Sequence, residues 1–196
     1  GYYMFALDLN LMTYTATKTD WGVIGDATAD AWNSDQNMTY SPAFKQWVAT
    51  IPMTAGTFKF RANDDWPINY GDGGDGKLAY NGSNNISLAT AGTYSVMMNL
   101  SSPVSQTYTV TQWSITGDAV GGWGVDTDMT PSVNNTWTVT ATFTAGDFKF
   151  RANHDWTISL GGIPSKLDFG GANITVTTPG TYTVTIDLVN GTYTMN

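Results

Sequence analysis

The chain has 196 residues, enough to bury one or two cores, and 8 Lys+Arg against 16 acidic residues leave a net charge of −8. Nothing in that balance would release counterions from a phosphate backbone, which disfavours nucleic acid as a partner. Every acidic residue is Asp and Glu is absent, whereas Thr occupies 31 positions, so the composition predicts an all-β chain. The absence of cysteine excludes disulfides, thiolate nucleophiles and Cys-ligated zinc. A single histidine, His154, leaves little material for general acid–base catalysis. No apolar run is long enough to span a bilayer, and residues 1–15 lack the charged leader and cleavage site of a signal peptide.

The first segment reads as a hairpin. Gly1-Tyr2-Tyr3-Met4-Phe5-Ala6-Leu7-Asp8-Leu9 matches Gly180-Thr181-Tyr182-Thr183-Val184-Thr185-Ile186-Asp187-Leu188, and Tyr14 stands as far from its glycine as Tyr193 does from Gly180. Gly92 to Tyr108 is a third instance. Residues 1–20 are therefore expected to be the closing hairpin of a preceding domain. Its apolar set Tyr3, Phe5, Leu7 and Leu9 is expected to pack on the first copy or on a neighbouring molecule, because an isolated hairpin is marginal in water.

The remainder is an internal repeat. Phe58-Lys59-Phe60-Arg61-Ala62-Asn63 recurs unchanged as Phe148-Lys149-Phe150-Arg151-Ala152-Asn153, and Asp65-Trp66 returns as Asp155-Trp156. Gly25-Asp26-Ala27 matches Gly117-Asp118-Ala119, and the tryptophans align as Trp21/Trp113, Trp32/Trp123, Trp47/Trp137 and Trp66/Trp156. Two copies follow, 21–111 and 112–196. In Trp137-Thr-Val139-Thr-Ala141-Thr-Phe143 apolar residues alternate with Thr, the mark of a strand with one buried and one wet face. Gly-containing turns every 8–15 residues then predict seven or eight short strands per copy. The expected architecture is two tandem antiparallel Ig-like β-sandwich domains preceded by an extra β-hairpin.

Trp47 and Trp137 fall in phase with inward positions and are expected in the core. Trp32, Trp123, Trp66 and Trp156 fall in Gly/Asp/Asn-rich stretches outside any alternating run, either capping a sandwich or displayed for binding; their repetition favours display. The phase of Trp21 and Trp113 is ambiguous. The only two arginines, Arg61 and Arg151, occupy one repeat position beside Lys59 and Lys149. With Phe58 and Phe60 inward, Lys59 and Arg61 are expected outward on one face shortly before Trp66, either as ligand-binding donors or paired with Asp64 or Asp65. A flat ring beside planar hydrogen-bond donors suits a sugar, whose C–H face packs on the ring while its hydroxyls accept from the donors.

Other chemistry is weakly represented. Asp72-Gly-Gly-Asp75-Gly76 has the composition of a calcium loop, but it has no EF-hand spacing and the other copy reads Gly161-Gly-Ile-Pro-Ser165. A turn is expected there, and no metal or cofactor. His154 stands where the first copy has Asp64, and no Asp pair separates itself from the turn residues as a glycoside-cleaving couple. Catalysis is not expected.

Trp-x-x-x-Gly-Asp-Ala, a Gly/Asp stretch ending in Trp, and then Lys-Phe-Arg-Ala-Asn-x-Asp-Trp resemble the SusE/SusF family of Bacteroidetes outer-membrane starch-binding lipoproteins. The likeness covers both copies. It implies tandem non-catalytic carbohydrate-binding modules held on the outside of the outer membrane by an N-terminal lipid that would precede residue 1. Their ligand would be α-glucan, with other glycan-uptake proteins as companions. It further implies two rings set as an arc with basic side chains to the sugar hydroxyls. Trp66 and Trp156 resemble one ring, Trp21/Trp113 or Trp32/Trp123 the other, and Lys59, Arg61, Lys149 and Arg151 the polar partners. The alternative is a structural or adhesion sandwich with no glycan site, or a binder of another polysaccharide.

Overall fold

The computed structural model describes residues 2–132 and 134–196. It is all-β: among the described residues the only helical element is a single 3-10 turn, Asp118–Val120, and no helix is long and apolar enough to cross a membrane. The strand pairs whose register is described are antiparallel, consistent with tandem β-sandwich domains.

Strands β1 (Tyr3–Asp8) and β2 (Thr13–Lys18) form a two-stranded sheet, in register from Tyr3↔Lys18 to Asp8↔Thr13. A six-stranded sheet follows, with β4 (Gln36–Asn37), β3 (Trp21–Ile24), β7 (Gly56–Ala62), β8 (Asp65–Asp72) and β9 (Leu78–Tyr80) in that order and β10 (Ile86–Leu88) on β7. A four-stranded sheet orders β12 (Thr107–Thr111), β11 (Gly92–Asn99), β6 (Gln46–Met53) and β5 (Thr39–Ser41). The second copy repeats the plan. Its six-stranded sheet runs β14 (Gly122–Asp128), β13 (Trp113–Gly117), β17 (Gly146–Ala152), β18 (Asp155–Ile163) and β19 (Lys166–Phe169), with β20 (Ile174–Val176) on β17. Its four-stranded sheet orders β15 (Thr130–Ser132), β16 (Thr136–Phe143), β21 (Gly180–Asp187) and β22 (Thr192–Met195). Among the described residues each copy holds ten strands, more than the seven or eight expected, because several turns contain two- or three-residue pairings that leave no periodic trace.

The chain divides into two compact units, 1–38 with 53–91, and 39–52 with 92–196. The division does not fall at the repeat boundary near 111, since β5, most of β6, β11 and β12 belong with the second copy. In that larger unit Val48 and Met97 join a core built from Trp113, Trp137, Phe143, Phe148 and Phe150. Hydrogen bonds reinforce it: the Trp137 Nε1–H donates to Ser95 Oγ at 2.7 Å, the Ser41 hydroxyl to the Val189 carbonyl at 2.7 Å and the Thr50 amide to Asn135 Oδ1 at 2.5 Å. The expected alternation holds along β16, where Trp137 and Phe143 are buried. The outward hydroxyls pair across the ladder with β21, Thr138 with Thr185 at 2.8 Å and Thr140 with Thr183 at 2.9 Å. Trp47 is likewise buried.

The opening hairpin does not pack on the first copy. Phe5 and Leu7 are each 70% exposed, Tyr3 and Leu9 are similarly open, and nothing among the described residues covers them. The other two closing hairpins lie in four-stranded sheets, β11–β12 beside β6 and β21–β22 beside β16. β1–β2 pairs with no third strand among the described residues, so its apolar side chains have no surface to bury against.

Candidate functional site

The repeated motif is first of all a turn. Asn63 and Asp64 both lie in the left-handed region, at φ 60° and 55°, between the paired residues Ala62 and Asp65. Two left-handed residues make the tight hairpin that Asn favours. Asn63 also anchors the turn: its Oδ1 accepts from the Asp20 amide at 2.9 Å and its Nδ2 donates to the Lys18 carbonyl at 2.8 Å. Pairing resumes immediately, so Trp66 becomes the second residue of β8 and its ring falls over Arg61, whose Cζ is 4.8 Å from the ring centroid.

Arg61 is held from the other side by Asp35, its Nε–H lying 2.9 and 3.0 Å from the two carboxylate oxygens. Gly22, paired with Arg61 on β3, leaves room for this carboxylate; a Cβ there would stand 2.7 Å from the Asp35 Cβ. The Trp32 ring centroid lies 6.0 Å from that of Trp66 at an angle of 36°, with its Nε1–H donating to Asp26 Oδ1 at 2.7 Å. Trp66 is 41% exposed and Trp32 is half-buried. The result is a pair of inclined rings backed by a guanidinium that both a carboxylate and a π-face hold in place.

The larger unit contains the same construction. Asn153 and His154 are left-handed at φ 53° and 55°, and Asn153 bonds the Gln112 amide at 2.9 Å and the Val110 carbonyl at 3.0 Å. The Arg151 Cζ lies 4.8 Å from the Trp156 centroid. Its Nε–H donates to Asp126 Oδ1 at 2.9 Å, and Nη2 contacts Oδ2 of the same carboxylate. Ser114, in the place of Gly22, donates to Asp126 Oδ1 at 2.7 Å. Trp123 and Trp156 are 5.8 Å apart at 45°, and the Trp123 Nε1–H donates to Asp118 Oδ2 at 2.9 Å.

Several sequence expectations change here. Trp21 and Trp113 are core residues, 3% and 1% exposed, so neither offers a face to a ligand; Trp32 and Trp123 are the rings brought beside Trp66 and Trp156. Of the four supposed loop rings only Trp32 lies in a loop: Trp66, Trp156 and Trp123 stand on strands, because two-residue turns hide inside polar stretches. Arg61 and Arg151 are buried rather than solvated and pair with Asp35 and Asp126, not with Asp64 or Asp65. Lys59 turns away from the rings and donates to the Gly82 carbonyl and, at 3.4 Å, to Asn69 Oδ1; burial holds its pKa below the usual lysine value. Lys149 is half-buried. The carboxylates Asp26, Asp118, Asp35 and Asp126 were missed. Their signal was present, since Gly-Asp-Ala and Trp-x-x-Asp (Trp32 to Asp35, Trp123 to Asp126) recur in both copies. The Asp72–Gly76 stretch is a turn, closed by the Gly73 amide on the Lys77 carbonyl at 2.9 Å.

The two carboxylates that hold the arginines titrate in opposite directions. Burial raises the Asp35 pKa, Asp64 adds to this, and Arg61 only partly opposes it. Hydrogen bonds from Arg151 lower that of Asp126, with Ser114 and the nearby His154 acting in the same sense. Asp126 therefore contributes stability above the ordinary Asp value and loses it as pH falls through its depressed pKa. Asp35 costs stability while ionised and is the first of the two to take up a proton. On acidification through and below the ordinary Asp value of about 3.9, the Nε–H resonance of Arg61 will change at higher pH than that of Arg151. A side-chain nitrogen–proton NMR titration measures both, and coincident midpoints would refute the assignment.

Each copy thus carries one pair of inclined tryptophans with its supporting arginine and carboxylate. Residues 112–194 match the sequence model of the SusF/SusE starch-specific carbohydrate-binding modules. The structure is similar to the crystal structure of SusF from Bacteroides thetaiotaomicron, with a TM-score of 0.42 and 14% sequence identity over 99% of this chain. The chain spans about half of that protein, 52% of its length. No curated protein sequence matches it.

Proposed function

We propose that the chain is a non-catalytic binder of α-glucan with one site per repeat, Trp32 with Trp66 and Trp123 with Trp156, in modules spanning 21–111 and 112–196. The observation that carries this reading is the duplication of the whole assembly: two rings, an arginine beneath one of them, and the carboxylate that fixes the arginine. A core or a cap needs burial, not open rings repeated with their supports. The match of residues 112–194 to starch-specific modules supports starch as the ligand, and the identical motif extends the reading to the first copy. On the same grounds we place the protein at the cell surface, lipid-anchored to the outer membrane and serving glycan capture and uptake alongside other uptake proteins.

A shallow aromatic platform of this kind contributes about −4 to −6 kcal/mol, a Kd of roughly 1 mM to 50 μM. Two such sites on one chain raise the effective concentration at the second to about millimolar for a polymer that reaches both. Native affinity electrophoresis will therefore show retardation by amylopectin, while maltotriose competes only at millimolar concentration. Mobility unaffected by amylopectin would leave the rings as surface caps.

A further inference from the structure

The larger unit contains a groove that borders the second ring pair. It has a volume of about 280 Å³ and opens between Trp156 to Ser159 on β18, Phe169 and Gly170 at the end of β19, and Gln46 with Thr107 to Thr109 on the other wall. β12 is the last strand of its sheet, and Thr109 pairs with Met97, which joins the core shared with the second copy. The face carrying Thr107 and Thr109 is thereby set opposite β18. Phe169 packs on Phe44, their centroids 4.9 Å apart.

The lining has the chemistry of a sugar subsite. The Gln46 amide and the hydroxyls of Thr107, Thr109 and Ser159 make no side-chain hydrogen bond to another described residue, although Ser159 is buried and the others are half-buried. They offer both donors and acceptors without formal charge, which suits vicinal hydroxyls and disfavours a phosphate or carboxylate. Trp156 belongs to the groove and to the ring pair at once, so one chain of sugars can lie on the rings and continue past Trp156 into the groove.

We infer that this groove is an extension subsite for the same glycan, which makes the second site a reader of chain length. The inference rests on the function proposed above.

The test uses the full chain carrying Trp32→Ala and Trp66→Ala, so that only the second site reports, titrated calorimetrically with maltotriose and with maltoheptaose. Adding Gln46→Ala and Thr109→Val is expected to weaken maltoheptaose binding about fivefold, the effect of losing two modest hydrogen bonds, and to leave maltotriose binding unchanged. Thr107→Tyr, which fills the groove from its edge, is expected to do the same. Unaltered maltoheptaose affinity in both variants would overturn the subsite while leaving the ring platform intact. Equal weakening for both sugars would also overturn it, since the groove would then be part of the platform. Failure of the parent chain to bind either sugar would overturn the proposed function itself.

Discussion

A chain carrying Trp66→Ala and Trp156→Ala will migrate through an amylopectin gel as a non-binding protein does, although both units remain folded. Each ring is the more open member of its pair, at 41% and 47% exposure, so truncation removes contact area for a ligand rather than core packing. A stacked aromatic contributes roughly 0.5–1.5 kcal/mol beyond its area burial, and loss of the area adds to this. Against a total of about −4 to −6 kcal/mol per site, that reduces each to the edge of detection. Either single variant will keep partial retention through the surviving site but lose the gain from two-point attachment, about tenfold or more for the polymer. Retention of the folded double variant at the wild-type level would show that the rings do not bind the glucan.

Trp137→Ala will destabilise the larger unit by roughly 3–5 kcal/mol, the usual range for deleting a large buried aromatic. Trp137 is 1% exposed and packs in the same core as Phe143, Phe148 and Val184. Its indole N–H also reaches Ser95, whose hydroxyl lies 3.2 Å from that of Thr50, so truncation disturbs a buried polar contact as well as leaving a void. Denaturant unfolding will show the shift, and the same substitution at Trp156 will cost much less because half of that ring already meets water. An unchanged midpoint for Trp137→Ala would contradict its placement at the centre of the core.

The sequence was most informative where periodicity and repetition act together. Strict alternation in β16 and β21 revealed both the strand and its inward face, and the paired tryptophans pointed to the ring pairs. Turn conformation was less legible. Asn63-Asp64 and Asn153-His154 look like polar loop because a two-residue hairpin leaves no period to count, and so Trp66 and Trp156 were assigned to loops. Charge pairing misled in another way. Arg61 has Asp64 and Asp65 as close chain neighbours, yet its partner Asp35 lies 26 residues away in sequence and reaches it across the space beside Gly22. Trp21 could not be phased from a four-residue strand; burial beside Tyr70, 5.5 Å between centroids, decides it. The grouping of β11 and β12 with the second copy depends on Met97 and Ser95, whose alternation shows only that they share a face.

The arginine clamps also bear on time. Arg61 and Arg151 are long, flexible side chains by nature, but each is fixed between a carboxylate and an indole before any ligand arrives. Their rotamers are frozen during folding, so a docking sugar has little protein to order and a departing one has little to release. Under the proposed function, encounter and escape at each ring pair are then governed by diffusion and by the shallow depth of the well, not by side-chain rearrangement. Weak, fast contacts of this kind let a long glucan loosen at one site while it stays attached at the other, so the polymer can creep along the protein surface without leaving it.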